Sequence, residues 1–295
     1  MPDTQLPEFA TPVTPNLAAG MRADTPAFTI ATLVTAPAQY AQMCTSFEDG
    51  GFTPDTCEYL VIDNTQAGQD QTCAYRGLNA ALASARAPYV ILCHQDVRLL
   101  VNNRQTLEAR LRQLDANHPD WALAGNAGGA APGELAIRIS DPHRQSQSVG
   151  DFPHRVFALD ENFIVVRRSA QIGFSRNLQG FHFYGADICL AAETMGWEAY
   201  VIDFHLQHLS PGNKDTSFDT AKAAFRKKWS RAFRPRFIQT TCALVRLAPS
   251  LTSLSASPLI ENALEKVTRR MPWAKGWIKP AETSLARSPL KRNAA

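Results

Sequence analysis

The sequence predicts an α/β fold, in which a mostly parallel mixed sheet is flanked by helices and followed by a C-terminal helical extension. Segments typical of strands and helices alternate through the first hundred residues, and crossovers of this kind build parallel sheets. Residues 89–93, Tyr-Val-Ile-Leu-Cys, form a short β-branched and aromatic run directly after a proline. Such a run is typical of a strand that helices bury on both faces.

The first half of the chain carries this alternation. Apolar residues at helical spacing in residues 72–86 predict a helix that leads into the central strand. A shorter helix is predicted at 38–47, after a Thr-Ala-Pro turn. The strands predicted beside these helices are 28–34, 58–62 and 89–93.

The second half predicts shorter elements. Leu107, Leu111 and Leu114 mark one helix, and residues 187–195 mark another, which Gly196 closes at the position that favours a left-handed cap. The glycine-rich run 125–129 lacks the Lys-Ser/Thr pair of a phosphate-binding loop, so we interpret it as a plain loop. The strands predicted here are 121–124, 134–139, 156–159, 163–167 and 199–204.

Composition and charge exclude several classes of protein. Of the 295 residues 45% are apolar and 19% are charged, which is ordinary for a globular protein and excludes disorder for most of the chain. The net charge of +3 is too small to imply a nucleic-acid partner, and no apolar stretch is long enough for an integral membrane protein. The six cysteines include no CxxC pair, so we interpret them as reduced cysteines of a cytoplasmic protein.

We divide the chain into three parts. Residues 1–26 are rich in proline and have neither an apolar run nor a basic lead, which indicates a loose arm and not a signal peptide. Residues 27–215 hold the α/β domain. Residues 216–295 comprise a basic amphipathic helix, a Ser/Leu-rich linker, a further helix at about 259–271 and a basic tail.

The basic helix suggests a partner with negative charge. Phe218, Phe225 and Trp229 share one stripe, and no acid occurs between Lys222 and Arg246. This pattern is typical either of a solvated helix face or of a surface that meets anionic lipid or a phosphorylated acceptor. If the second interpretation holds, we expect a peripheral contact with the inner face of a membrane. The basic residues concerned are Lys222, Arg226, Lys227, Lys228, Arg231, Arg234 and Arg236.

Polar residues follow the central strand directly. Because side chains alternate along an extended chain, His94 and Asp96 leave the strand end on one side and Gln95 on the other. In open α/β sheets this carboxyl end is where ligands bind. The tripeptide is also compatible with a simple polar turn.

Five segments together resemble a known enzyme family. They are residues 79–89, the strand ending in His94-Gln95-Asp96, Leu159 to Arg168, the Gly180 to Leu190 segment, and the late His208. In order and spacing they resemble the family 2 glycosyltransferases of GT-A fold, most closely the bacterial branch in which His-Gln-Asp-Val replaces Asp-x-Asp. The chain departs from the family at Ala81 and Ala87, which replace glycines, and at Gly185, which replaces the first aspartate of the acceptor motif.

The resemblance implies a GT-A-like domain that binds a nucleotide-sugar donor and a divalent cation, Mn²⁺ or Mg²⁺. A hard cation neutralises the charge that develops on the departing diphosphate. Asp96 and His208 are the implied metal ligands, and His94 is a further candidate, since Mn²⁺ accepts imidazole beside carboxylate better than Mg²⁺ does. For each histidine a core or capping role is the alternative.

The resemblance also implies roles for other residues. Asp63 matches the carboxylate that contacts the nucleobase, although Asp63-Asn64 is also a good turn. Asp187 is the candidate general base, and a helix-capping aspartate is the alternative. The implied substrate-binding residues are Asp63, Asn64, Asn79, His94, Gln95, Asp160, Glu161 and His182.

The predicted function is therefore that of a metal-dependent, inverting glycosyltransferase. Its acceptor would be a glycan, a lipid-linked glycan or a protein, in the synthesis of a bacterial surface polysaccharide. One alternative is a non-catalytic nucleotide- or glycan-binding module of the same fold, for which Gly185 is the motive. A second alternative is a nucleotidyltransferase, but only Thr35-Ala36-Pro37 follows the first strand, where such an enzyme needs a glycine-rich basic loop.

Overall fold

Strands and helices alternate along the chain in the computed structural model, which describes residues 25–66, 71–212 and 216–247. The described helices are α1 (Pro37–Asp49), α2 (Ala74–Ser84), α3 (Arg104–Asn117), α4 (Tyr184–Thr194) and α5 (Thr216–Ala232). The described strands are β1 (Phe28–Val34), β2 (Cys57–Asp63), β3 (Tyr89–Cys93), β4 (Val97–Leu99), β5 (Trp121–Gly125), β6 (Ala127–Ala131), β7 (Glu134–Ser140), β8 (Gln147–Val149), β9 (His154–Val156), β10 (Ala158–Leu159), β11 (Phe163–Arg167), β12 (Glu198–Val201), β13 (Leu206–His208), β14 (Arg236–Gln239) and β15 (Leu244–Leu247).

A seven-stranded mixed sheet forms the centre of the fold, in the order β2-β1-β3-β11-β5-β12-β9. The β1–β2, β1–β3 and β5–β12 pairs are parallel. The strands β11 and β9 run against their neighbours. The sheet is thus mixed, with most strands in one direction, and the predicted α/β class is confirmed.

Helices cover both faces of this sheet. On one face, α2 and α4 pack through residues such as Leu78 and Ile188. On the other face, α1 and α3 pack through Phe47 and Leu111, which are also buried. The central strand β3 contributes Leu92 to the first cluster and Ile91 to the second. It is therefore buried from both sides, as its continuous apolar run predicts.

A second sheet extends the fold beside the carboxyl end of β3. It has the order β10-β6-β7-β13-β4, and β8 pairs with β7. The antiparallel β4–β13 pair places Val97 opposite His208. This register brings the end of the Tyr89–Cys93 strand and the late histidine together, although they are far apart in sequence.

The predicted plain loop at 125–129 is wrong, because residues 127–131 form β6. A Cβ atom at Gly128 would lie 2.5 Å from the Ala158 carbonyl oxygen and 3.2 Å from a Val201 methyl carbon. The glycine therefore allows β10 to approach β6 closely. The strands β4 and β13 were not predicted, because each is only three residues long and is stabilised by partners distant in sequence.

The described C-terminal part is α5 and a two-stranded hairpin, β14–β15. The amphipathic helix is confirmed, and the hairpin was not predicted. The linker, the helix at about 259–271 and the basic tail lie outside the described residues, as does most of the predicted arm 1–26. No helix within the described ranges is long and apolar enough to cross a membrane.

Candidate functional site

Two histidines and an aspartate converge at the carboxyl end of β3. The His208 Nε2 atom lies 3.4 Å from Asp96 Oδ1, and the His94 Nδ1 atom lies 4.0 Å from the same oxygen. The two histidine nitrogens are 3.4 Å apart. One ligand atom from each of the three residues fits within 4.8 Å, so the group is suited to hold a metal ion. Two imidazoles and one carboxylate form a donor set that fits Mn²⁺.

Tyr184 at the start of α4 determines which nitrogen of His94 faces this cluster. The Tyr184 hydroxyl donates to the Glu161 carbonyl oxygen at 3.0 Å, so its single proton is used there. At 2.8 Å from His94 Nε2, the oxygen of the same hydroxyl therefore accepts a hydrogen bond from that nitrogen. This assigns the lone pair to His94 Nδ1, which is the nitrogen that faces Asp96 and His208.

The charges in the cluster favour an ionised aspartate. Burial opposes ionisation of Asp96, but the hydrogen bond and charge of His208 outweigh it and lower the pKa of the carboxyl. Burial also opposes charging of His208, yet the hydrogen bond to Asp96 and its charge raise the pKa of that imidazole. Burial and the neighbouring His208 lower the pKa of His94. The cluster thus presents a carboxylate beside a neutral His94.

The cluster opens into a cleft of about 460 Å³. One wall is the segment from Ala158 to Glu161, and the other is the loop that leads into α4. Phe218 of α5 closes one side and packs edge-to-face on His182 at 5.4 Å between ring centroids. The predicted residues that line this cleft are His94, Asp96, Asp160, Glu161, His182 and His208.

Comparison with known proteins gives one relative in sequence. No family model matches the chain. The "ATP synthase subunits region ORF 6" protein of Fuscovulum blasticum is 35% identical over 226 residues, which covers 75% of this chain and 90% of that protein. The chain belongs to the ORF 6 family. The name of that relative gives a genomic position and no activity.

Solved structures similar to this ORF 6 family chain are distant in sequence. The mannosyltransferase PcManGT of Pyrobaculum calidifontis, in complex with GDP-Man and Mn²⁺, is 13% identical, with a TM-score of 0.48 over 85% of this chain and 72% of that one. S. aureus TarS 1-349, in complex with UDP-GlcNAc, is 12% identical, with a TM-score of 0.44 over 64% and 60%.

In this chain of the ORF 6 family, the side chain of Gln95 is hydrogen-bonded to the loop after β1. Its Oε1 atom accepts hydrogen bonds from the backbone N–H groups of Thr35 and Ala36, both at 2.9 Å, and its Nε2 donates to Thr35 Oγ1 at 2.8 Å. Gln95 therefore points away from His94 and Asp96, as the strand alternation predicts. It ties the end of β3 to the loop after β1.

Asp63 and Asn64 lie at the end of β2, and their side chains form local turns. Asp63 is exposed, and its Oδ1 accepts hydrogen bonds from the N–H and hydroxyl groups of Thr65, which lower the pKa of the carboxyl. Asn64 is buried, and its amide exchanges two hydrogen bonds with the backbone of Thr72. Asn64 still lines a small cavity of about 180 Å³ beside His94, but its polar atoms are engaged elsewhere.

The side chain of Asn79, which was predicted for the donor site, is hydrogen-bonded to the segment that precedes α4. Its Oδ1 atom accepts from the Phe174 N–H group at 2.8 Å, and its Nδ2 donates to the Phe174 carbonyl at 2.9 Å. Asn79 lines a different cleft, beside Arg167 and Arg168. The side chain fixes the segment that precedes α4 and does not reach the cluster.

The carboxylate of Asp187, the candidate general base, is enclosed between α4 and its neighbours and does not line the cleft. Asp187 is 0% exposed. Its Oδ2 accepts from the Ser175 N–H at 2.8 Å, and its Oδ1 accepts from the Ser175 hydroxyl at 2.7 Å and from Trp229 Nε1 at 3.0 Å. The alternative of a capping residue is not seen either, because Phe183 occupies the N-cap position and Asp187 lies inside the first turn. Asp187 joins α4 to α5.

Tyr184 is the functional residue that sequence reasoning missed. It lies in the segment that resembles the acceptor motif, yet the resemblance gave it no role. The sequence offered one signal for a role of Tyr184, its position next to Gly185 in that motif. Its hydrogen bond to His94, however, joins residues that are 90 positions apart in the sequence. Only the folded chain shows that this phenol orients a metal-ligand candidate.

Proposed function

We propose that the chain is a metal-dependent, inverting glycosyltransferase of family 2 type that transfers a sugar from a nucleotide-sugar donor to a hydroxyl group. The acceptor is proposed to be a glycan, a lipid-linked glycan or a protein in bacterial surface polysaccharide synthesis. The observation that carries the proposal is the convergence of His94, Asp96 and His208 at the carboxyl end of a central strand, in an open cleft. This is the edge of an α/β sheet where ligands bind.

The predicted site residues are proposed to have separate roles. Asp96, His208 and His94 would hold the cation, with His94 oriented by Tyr184. A hard divalent cation supplies Lewis-acid stabilisation of the leaving diphosphate. The exposed Asp63 carboxylate is proposed to accept a hydrogen bond from the nucleobase.

Asp160 and His182 line the same cleft and are proposed to contact the sugar or the acceptor. Asn64 and Gln95 act indirectly, since their amides hold the loops around the cleft.

A thermal-shift panel tests the donor site. Purified chain is heated with GDP-sugars or UDP-sugars, with and without Mn²⁺. We expect one donor to raise the melting temperature only when Mn²⁺ is present, since a ligand at about 100 times its Kd adds about 2.7 kcal/mol of stability. No shift with any donor would contradict the proposal.

Turnover separates the enzyme from the non-catalytic module. The donor that gives the shift is offered with a radiolabelled sugar and with candidate acceptors. Release of nucleoside diphosphate together with transfer of label supports the enzyme. Binding without release of diphosphate supports the module, for which the loss of an acid at Gly185 is the motive.

We also propose that α5 and the β14–β15 hairpin bind the cytoplasmic face of an anionic membrane. The basic helix α5 is followed in the chain by the hairpin, which exposes apolar side chains such as Phe237 (65% exposed) and Leu244 (61% exposed). Cationic and apolar groups side by side are typical of an interfacial surface. The basic residues concerned are Arg226, Lys227, Lys228, Arg231, Arg234 and Arg236.

Vesicle sedimentation measures this binding. At low salt we expect the chain to pellet with phosphatidylserine-containing vesicles and not with neutral ones, because each basic residue near such a surface contributes about 1 kcal/mol. Replacing Lys227, Lys228 and Arg231 by glutamate is expected to remove the difference. Equal sedimentation of the wild type with both vesicle types would contradict the proposal.

A further inference from the structure

Residue 185 has no room for a side chain. A Cβ atom built on Gly185 would lie 2.2 Å from the Leu159 carbonyl oxygen, a backbone atom, and 3.2 Å from Glu161 Cγ. Real Cβ atoms do not approach a carbonyl oxygen this closely. Position 185 therefore accepts only glycine as long as β10 stays in place. The space that a side chain at this position would need is bounded by Glu161.

Three carboxylates line the cleft, and each of them accepts at least one hydrogen bond. Asp96 is held by His208 and belongs to the cluster. The Oδ1 atom of Asp160 accepts from the backbone N–H and side-chain amide of Asn162, which forms a local turn. The Glu161 Oε1 atom accepts a hydrogen bond from the Gly185 N–H at 3.2 Å, and the N–H groups of Phe183 and Tyr184 also face this carboxylate. Of the two carboxylates outside the cluster, Asp160 is exposed, whereas Glu161 is half-buried in the wall of the cleft.

The main chain of Glu161 is fixed relative to the cluster. The Tyr184 hydroxyl bonds to the Glu161 carbonyl and to His94 at the same time. One phenol therefore links the candidate metal ligand to the residue that carries the third carboxylate. This link holds the two groups at a constant separation, which a two-substrate reaction needs.

We propose that Glu161 is the general base of the transfer, a role that rests on the proposed glycosyltransferase function. The acceptor hydroxyl gives its proton to a Glu161 carboxylate oxygen while its own oxygen forms the bond to the anomeric carbon. The bond from that carbon to the diphosphate oxygen breaks, and the electron pair leaves with the nucleoside diphosphate. The step consumes no other reactant, and Glu161 ends as a carboxylic acid.

The surroundings of Glu161 suit this role. Burial raises the pKa of the carboxyl to about 8, although the N–H groups at the start of α4 oppose the shift. The neighbouring Asp160 charge acts in the same direction as burial. A base whose pKa lies near neutrality combines a usable ionised fraction with a high affinity for the proton.

The test compares Glu161→Gln with wild type. The glutamine Oε1 atom can still accept the Gly185 N–H, so the variant keeps this contact but cannot take a proton. We expect the Mn²⁺-dependent donor shift to stay within twofold in apparent Kd, and transfer to fall by about 10² to 10⁴-fold. Glu48→Gln, on the exposed face of α1, is the matched control and should transfer sugar at the wild-type rate.

Glu161→Asp is the second variant, since it keeps a carboxylate and retracts it by one methylene group. We expect it to lose less transfer than the glutamine variant, provided both bind donor. Equal losses in the two variants, or a loss matched by weaker donor binding, would overturn the role of Glu161 alone. Transfer by Glu161→Gln within threefold of wild type would overturn it too, whereas wild-type chain that turns over no donor overturns the proposed function as well.

Discussion

The Asp96→Asn variant is expected to transfer sugar at least about 10-fold more slowly than wild type. Asp96 is the carboxylate of the cluster, within 3.4 Å of His208 Nε2 and 4.0 Å of His94 Nδ1. Losing even an outer partner of a metal ligand typically costs about 10- to 100-fold, so losing the charged ligand itself should cost no less. The measurement is donor turnover at saturating Mn²⁺.

A binding readout separates loss of the cation from loss of the fold. We expect Asp96→Asn to abolish the stabilisation by Mn²⁺ and donor, while the metal-free protein still melts cooperatively. Asp55 is exposed and does not belong to the cluster or the cleft. Asp55→Asn is therefore the matched control and should keep both signals. Turnover by Asp96→Asn within twofold of wild type would remove the metal assignment.

Asp187→Asn is expected to destabilise the protein and not to act on the chemistry. The buried carboxylate accepts three hydrogen bonds, two from Ser175 and one from Trp229. Asparagine turns one acceptor oxygen into an NH₂ donor, which then faces another donor. Leaving a buried donor unsatisfied costs about 1–3 kcal/mol, and more where the partner was charged. In a chain of this size about 2 kcal/mol lowers the melting temperature by roughly 4–8 °C.

A second substitution tests this explanation. Trp229→Phe removes the indole N–H that Asp187 accepts, so the double variant should be destabilised by less than the sum of the two single variants. Thermal melts of the four proteins give this difference directly. A melting temperature unchanged in Asp187→Asn, with transfer reduced more than 100-fold, would return the base role to this residue.

Local patterns in the sequence were sufficient to predict the central elements. The apolar run at 89–93 and the helical spacing of 72–86 correspond to β3 and α2 because those segments carry their own periodicity. The strand alternation also predicted that His94 and Asp96 would share one side and Gln95 the other. The approach of His208 followed only from the resemblance to a family, since it depends on the β4–β13 pairing.

Two predicted site residues, Asn79 and Asp187, have hydrogen-bond partners that the sequence does not show. Asn79 and Asp187 are polar residues on helices, and either could face a cleft or the interior. The direction of each side chain is decided by its hydrogen-bond partners. These are the backbone of Phe174 for Asn79, and Ser175 and Trp229 for Asp187. A polar side chain that is buried because it binds a donor far away in the sequence leaves no periodic pattern in the sequence.

The first turn of α4 joins four separate parts of the molecule within five residues. Phe183 stacks on Phe225 of α5, Tyr184 bonds to His94, Gly185 donates to Glu161, and Asp187 accepts from Ser175. Substitutions in this turn should therefore be strongly epistatic with one another and with their partners. A side chain at 185, for example, becomes tolerable only once β10 and Glu161 have changed. Evolution of this turn thus has to proceed through coordinated replacements, and single-residue grafts from other proteins into it should fail.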